Sequence, residues 1–328
     1  MKAFITRAGF LATVQDLGRI GLRDQGVAVS GALDPFALRV ANALVGNDQH
    51  AAGLELTVGH LALNVEDERI VAWCGGDFDV RIDDAPLPPG HAALLSATQQ
   101  LTATAPQPSS RAWIAISGGI DVPPVLGSRS TDLRAAFGGH SGRALRDGDV
   151  LPLGELSSLA HAIWHNLAAA RVSAWAAQPH WTQAATRPPF LAIVRGPDWN
   201  DFPTRAHDAL VHEPFTVSPD SNRMGARLRG PRLEATDRRE RVSEAVTPGT
   251  LQVPPDGHPI LLLNDCQTIG GYPKIAHVIS VDLCVAALLR AGDIVRFHEV
   301  ALAQAQASLR VREEEFAMFR VGIELRAR

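Results

Sequence analysis

Only two lysines, Lys2 and Lys274, and one tyrosine, Tyr272, occur in 328 residues. Cysteine is almost as scarce. Cys74, Cys266 and Cys284 are odd in number and have no CxxC spacing, which does not support a disulfide framework and fits a reducing cytosol. Cys74 and Cys266 each follow an apolar run and read as small buried hydrophobes. A net charge of −4 gives no basic field for nucleic acid. No run reaches the ~18 apolar residues that a membrane span needs. The first residues offer no apolar h-region, so no signal peptide is expected and the expected location is cytoplasmic. There is no GxxxxGK[ST], HExxH, GxSxG or Rossmann fingerprint, so any ATP binding is not P-loop binding and the chain does not look like a self-contained enzyme of a common class. His161 and His165 are spaced for a helix face but have no third ligand nearby, so no metal site is expected.

What is present builds a core. The chain is 46% hydrophobic and about two domains long. Short aliphatic and β-branched runs recur between prolines and glycines: Leu54–Thr57, Ile70–Trp73, Trp113–Ile116, Phe190–Val194, Ile260–Leu263, His277–Ile279 and Ile294–Phe297. That texture predicts a mainly β protein with few, short helices. One helix is well signalled, with Asp34 as N-cap, Pro35 at the first position, and Phe36, Val40, Ala43 and Leu44 on one face before Gly46-Asn47. A second is expected near Val281–Leu289. The Arg-rich segment 223–241 is offset by Glu234, Asp237, Glu240 and Glu244 and reads as a solvated face.

The two halves echo each other. Val29-Ser30 is matched by Val217-Ser218, and Glu55 with Gly59 and Leu61 by Glu244 with Gly249 and Leu251. Ile70–Trp73 leads to Cys74-Gly75-Gly76 as Ile260–Leu263 leads to Cys266 and Gly270-Gly271. The pattern Leu145-x-x-Gly-Asp-Val recurs as Leu289-x-x-Gly-Asp-Ile. The common order predicts two β domains of one fold, 1–153 and 190–328. The first carries an inserted polar loop, 117–140. The Ala-, Ser-, His- and Trp-rich stretch 154–189, closing on Arg187-Pro188-Pro189, reads as a linker with some helix.

Three polar segments stand out. In 252–274, a run that must be buried opens into Asp265, Gln267, Thr268, Gly270, Gly271, Tyr272 and Lys274. Paired glycines permit positive φ or close backbone approach, and a polar turn on a core strand is where a scaffold presents a site. A Gly-rich hairpin with a polar rim is the plainer alternative. In sequence, Lys274 has no carboxylate beside it. In 13–19, Gln15, Asp16 and Arg19 can orient a small polar substrate, or form a turn with an Asp16–Arg19 ion pair. In 117–134, Ser128, Arg129, Ser130, Thr131 and Asp132 suit phosphate or carboxylate binding, or form a surface loop.

These blocks carry a resemblance. TVQDLGR (13–19), GVAVSGALDPFALRVANALVGN (26–47), LELTVG (54–59), SGGIDVPPVLGSRSTDLRAAFGG (117–139), SPDSNRMGARLRG (218–230) and QVPPDGHPILLLNDCQTIGGYPKIAHVISVDL (252–283) together resemble the biotin-dependent carboxyltransferase-type family. That family includes the C subunits of 5-oxoprolinases, allophanate hydrolase subunit 2 and a kinase-inhibitor antagonist. The resemblance implies tandem cyclophilin-like β-barrel domains. It also implies obligate partners: a B subunit similar to allophanate hydrolase subunit 1, and an A subunit of the LamB/YcsF type. The implied activity is ATP-dependent hydrolysis of 5-oxo-L-proline to L-glutamate, with ATP and Mg2+ used by the assembled complex and this chain inactive alone. The alternatives are a carboxyltransferase component acting on urea, and a non-catalytic regulator. No biotin attachment is expected, since neither lysine sits in an AMKM context.

Under that resemblance Arg129 and Lys274 are the candidate catalytic cations. Asp132 and Asp265, with Asp16, are candidates to orient water or a proton. Gln15, Asp16, Arg19, Ser128, Ser130, Gln267, Gly270, Gly271 and Tyr272 are candidates for substrate binding. The matching Gly75-Gly76-Asp77 and Gly270-Gly271-Tyr272 turns are expected to line one cleft.

Overall fold

A computed structural model describes residues 1–105, 111–182, 189–236 and 242–327. Arg187 and Pro188 of the expected linker, and Asp237 and Glu240 of the Arg-rich segment, lie outside the described residues. Strand outweighs helix, 31% to 24%, which makes the protein mainly β. The chain folds as two compact units. Met1–Arg19, Ser30–Ala184 and Glu315–Arg328 form one, and Ile20–Val29 with Ala185–Glu314 the other.

In the first unit, the strands divide between two sheets. One runs, in spatial order, Val150–Pro152, Lys2–Arg7, His60–Val65, Leu101–Thr104, Asp79–Ile82 and Ala85–Pro86. The other runs Leu11–Gln15, Gly53–Thr57, Arg111–Ile116, Arg69–Gly75 and Ala92–Leu95. Every pairing is antiparallel. Leu54, Val71, Ile114, Leu63 and Leu101 meet in one buried cluster. Glu55 is buried within its strand, and its carboxylate accepts from Trp113 Nε1 at 2.9 Å and Leu33 N at 2.7 Å, so its polar oxygens are matched rather than stranded.

Helix Pro35–Leu44 forms as its signals predict, with the Asp34 carboxylate accepting from Ala37 N at 2.9 Å. Segment 154–189 holds a helix, Ser158–Ala170, capped by Ser157. The 26-residue helix Leu302–Ala327 departs from the expectation of short helices. Its described buried residues are only Phe316 and Ile323, and Leu302, Leu309, Val311, Met318, Val321 and Leu325 are exposed. Apolar residues on both faces hide the 3.6-residue period. Phe316 packs edge-on against Phe36 at 5.5 Å and Trp181 at 6.5 Å, beneath the Arg39 guanidinium at 4.5 Å.

In the second unit, seven strands close a barrel: Phe190–Arg195, Lys274–Val278, Thr250–Gln252, Ile260–Leu262, Gly225–Arg229, Phe215–Val217 and Ile294–Glu299. The last pairs in parallel with the first, placing Phe190 opposite Arg296. Closure leaves no open edge. Leu191, Ile193, Phe215, Leu251, Leu261, Ile275, Val295 and Phe297 are buried. The helix expected over Val281–Leu289 is shorter: a 3-10 turn, Ser280–Asp282, then Leu283–Ala287.

One internal echo is structural. Arg146 N donates to Asp149 Oδ2, and Arg290 N to Asp293 Oδ2, both at 2.8 Å. Between them Gly148 and Gly292 take φ of 88° and 86°, where side chains are disfavoured. Each turn feeds a strand, Val150–Pro152 or Ile294–Glu299.

Candidate functional site

The polar segments of the first unit are joined by one carboxylate. Asp16 follows the strand Leu11–Gln15 and is buried. Its Oδ1 accepts from the Ser128 and Ser130 hydroxyls at 2.5 Å each and from Gly18 N at 2.8 Å, and Oδ2 accepts from Arg129 N at 2.6 Å. Four donors stabilise a buried carboxylate. Asp16, Ser128 and Ser130 therefore bind each other and fix the loop. Arg19, also buried, donates to Ser130 O at 2.6 Å and Val125 O at 3.2 Å and lies over the Phe137 ring at 4.4 Å. Its described bonds tie the same loop down. Asp132 Oδ1 caps a turn, accepting from Arg134 N at 3.0 Å and Ala135 N at 2.9 Å. Gln15 Nε2 donates to Thr13 Oγ1 and Thr131 O. Arg129 is the outward-facing member, 37% exposed and paired with Asp121 at 2.8 Å. Of these candidates, Asp16, Ser128, Ser130 and Asp132 have their oxygens engaged within the fold, whereas the Gln15 Oε1 atom is buried without a hydrogen-bond partner among the described residues.

The second unit holds a cavity of about 280 Å³ lined by Asp198, Val242, Glu244, Gly270, Gly271, Tyr272 and Lys274. Four of these come from the segment singled out by its sequence. Lys274 opens the strand Lys274–Val278. A bulge shifts the register against the neighbouring strand between Leu251 and Gln252, so that Gln252 faces Lys274. Bulges re-aim side chains, and here Lys274 and Ile275 are both buried although adjacent.

The backbone at Lys274 is clamped. Its N–H donates to Asp198 Oδ2 at 2.7 Å, and Gly196 N donates to Ile275 O at 2.8 Å. A Cβ on Gly196 would lie 2.1 Å from the Lys274 carbonyl oxygen, so only glycine allows this approach. The Lys274 ammonium donates to Glu244, which sits on a two-stranded ribbon, Glu244–Ala245 with Ile269–Gly270. Gly270 does not use positive φ. Its reason is close approach, since an added Cβ would stand 2.7 Å from Gln252 Nε2. Buried Gln252 donates to Tyr272 O at 3.2 Å and accepts from Gln267 at 3.3 Å, shaping the wall from behind. Gln267 thus supports the cavity without lining it.

Asp265 is held elsewhere in this unit. Arg223 grips it through two bonds, 2.8 and 3.0 Å, so its carboxylate is an anchor for the turn. Burial, together with the Lys274 ammonium, pushes the His277 imidazole below its usual range, and Asp198 opposes the shift. Burial pushes the Cys266 thiol up, against the Arg23 guanidinium, and burial does the same to Cys74. Neither is poised as a thiolate nucleophile. None of the three cysteines is in a disulfide. Among the described residues no group of three or more His, Cys, Asp or Glu side chains is placed to hold a metal ion, and no helix is long and apolar enough to cross a membrane.

Asp198 and Glu244 were not among the candidates from sequence. Asp198 follows a Gly-Pro turn at the end of a core strand, a signal of the same kind as Asp265. Glu244 reads in sequence as a counter-charge to the arginines before it and as the echo of Glu55, neither of which marks a site.

The barrel, its polar cleft and the paired sheets of the first unit lie in a chain whose residues 25–299 match the family described as carboxyltransferase domain, subdomain A and B. The chain belongs to this family. It is 39% identical over 322 residues to the C subunit of 5-oxoprolinase from Escherichia coli K12, covering 96% of each. Among solved structures it is similar to the urea amidolyase of K. lactis, with a TM-score of 0.83, 26% identity, and coverage of 93% of this chain and 19% of that one. It is also similar to TTHA0988, with a TM-score of 0.77, 32% identity, and coverage of 90% and 56%. The chain therefore spans about half the length of TTHA0988 and about a fifth of the amidolyase.

Proposed function

We propose that this chain is the C-type subunit of a multi-chain, ATP-dependent 5-oxoprolinase, opening the lactam of 5-oxo-L-proline to L-glutamate in the cytoplasm. The observation that carries this reading is the likeness to the 5-oxoprolinase C subunit over 96% of both lengths. It relates a whole chain to a whole chain, where the likeness to urea amidolyase relates this chain to a fraction of a larger one. The partners are a B subunit related to allophanate hydrolase subunit 1 and an A subunit of the LamB/YcsF type, and the chain is inactive without them.

The residues of the cleft suit a small ligand better than a nucleotide. Among the described residues, the cleft is lined by two carboxylates, Asp198 and Glu244, and one ammonium, Lys274, a balance that repels a triphosphate. In the first unit, the hydroxyls of Ser128 and Ser130 are already given to Asp16. ATP with Mg2+ is accordingly a substrate of the assembled complex. What this chain supplies is placement. The Lys274 ammonium is a fixed cation in a partly desolvated site, where charge on a ligand is stabilised more strongly than in water. Tyr272 and Val242 give the cleft an apolar wall against which a five-membered ring can lie.

The second reading, carboxyl transfer to urea, is favoured by the TM-score of 0.83 with urea amidolyase. Reconstitution separates the two. The purified chain is mixed with its A and B partners, and L-glutamate formed from 5-oxo-L-proline and ATP is measured, with each component omitted in turn. Glutamate from the full mixture alone supports the proposal. No glutamate, but urea-dependent ATP hydrolysis with a biotinylated partner, would reassign the chain.

A further inference from the structure

The Lys274–Glu244 pair is unequal. The lysine side chain is 8% exposed and the glutamate 67%. Lys274 is held in place by its strand, by the bulge opposite Gln252 and by the Asp198 clamp on its N–H. Glu244 rides on a ribbon of two residues per strand, of which Glu244, Ala245 and Ile269 are exposed and Gly270 is half-buried. A buried ammonium without an anion is costly, whereas a carboxylate returned to water loses little. Such a pair holds its cation ready while leaving the anion exchangeable. Both partners line the same cavity, beside the exposed side chains of Tyr272 and Val242.

We propose that Glu244 is a resident counter-ion, displaced from Lys274 when the carboxylate of a small ring acid enters the cleft. Lys274 then recognises the ligand's carboxylate, and Glu244 sets affinity and selectivity by competing for the same ammonium. The exchange keeps one anion on the lysine throughout, so binding never strands the buried charge. A neutral ligand has no charge to place on the ammonium and leaves the Lys274–Glu244 pair intact. The ligand class rests on the 5-oxoprolinase reading above, but the counter-ion role does not.

The test is calorimetric titration of the full-length chain and of Glu244→Gln and Glu244→Ala variants. Three probes are used: 5-oxo-L-proline, cyclopentanecarboxylate (the acid without the lactam) and 2-pyrrolidinone (the lactam without the acid). Both variants should bind the two carboxylates about fivefold more tightly than the parent, because an exposed competitor of modest strength is gone. Binding of 2-pyrrolidinone should be unchanged. Lys274→Met should remove carboxylate binding in either background. Unchanged or weaker carboxylate binding by the Glu244 variants, or no carboxylate binding by any form, overturns the inference. Tightened cyclopentanecarboxylate without any binding of 5-oxo-L-proline would uphold the counter-ion role and sink the 5-oxoproline reading. The reverse split, with turnover of 5-oxo-L-proline by the complex but no effect at Glu244, would sink the counter-ion role alone. Glu244→Gln keeps an oxygen that can accept from the Lys274 ammonium, so it should fold even if Glu244→Ala is destabilised by the unmatched charge, which the melting temperature checks.

Discussion

Replacing Asp265 with alanine asks whether this carboxylate is an anchor or a proton-handling group. Asp265 and Arg223 are 13% and 8% exposed, and joined by bonds of 2.8 and 3.0 Å. The pair is thus near the buried limit, where removing one partner costs about 3–5 kcal/mol because the other charge loses its match. Asp265→Ala should lower the free energy of unfolding by about 3 kcal/mol, read from denaturant midpoints at constant slope. Converting both residues, Arg223→Met with Asp265→Leu, should recover most of that loss, since two apolar side chains of similar volume need no counter-charge. The positive coupling in this double-mutant cycle is the signature of an architectural pair. A loss below about 1 kcal/mol in the single variant, with turnover of the complex abolished, would refute the reasoning and return Asp265 to the catalytic candidates.

Three other outcomes follow from the geometry. Gly270→Ala should drive a methyl group against the Gln252 amide, loosen its bond to Tyr272 O and raise the KM of the assembled complex, while destabilising the chain by about 1–2 kcal/mol. Phe316→Ala should cost about 3–4 kcal/mol by opening a cavity among Phe36, Trp181 and Arg39, measured by chemical unfolding. The Arg143 guanidinium holds the Asp149 carboxyl down at about 2. A depressed carboxyl stabilises the fold above its unfolded value near 4 and loses that contribution as pH falls towards 2. The contribution is of order 1 kcal/mol, because Arg143 is 30% exposed and solvent screens the pair. Asp149→Asn should flatten the dependence of stability on pH in that window.

Periodicity and turn chemistry were enough to locate most of the β framework. Each of the seven apolar runs overlaps a strand, because a β-branched run between Gly and Pro has few other ways to bury itself. The helix at Pro35 was legible because cap, proline and apolar face agree. The terminal helix was not, since only Phe316 and Ile323 of its described residues are buried and the remaining apolar residues follow no single face. The repeated Arg-x-Gly-Asp turns were visible as sequence because each residue has a geometric duty. The match of Glu55 with Glu244 was not structural in the same sense. One is buried against Trp113, and the other is exposed beside Lys274.

The site was half legible. Gly270, Gly271, Tyr272 and Lys274 are contiguous but for Pro273, so their local density revealed the cleft wall. Asp198 and Glu244 arrive from 76 and 30 residues away, and nothing local marks them as neighbours. In the first unit part of the same density of polar residues is an internal network. Asp16, Ser128 and Ser130 are polar because they bind one another. Sequence density alone does not separate a ligand site from a satisfied internal network.

The central claim is that the lactam substrate meets this chain in the cleft at Lys274. The most direct measurement is kcat/KM for 5-oxo-L-proline in the reconstituted complex carrying Lys274→Met. Methionine keeps the apolar stem and removes only the ammonium, and Glu244, already 67% exposed, can return to water. Stability should therefore change by no more than about 1 kcal/mol, while kcat/KM falls by about a hundredfold or more. A complex that keeps near-normal turnover with this variant would contradict the account and leave Lys274 a structural charge.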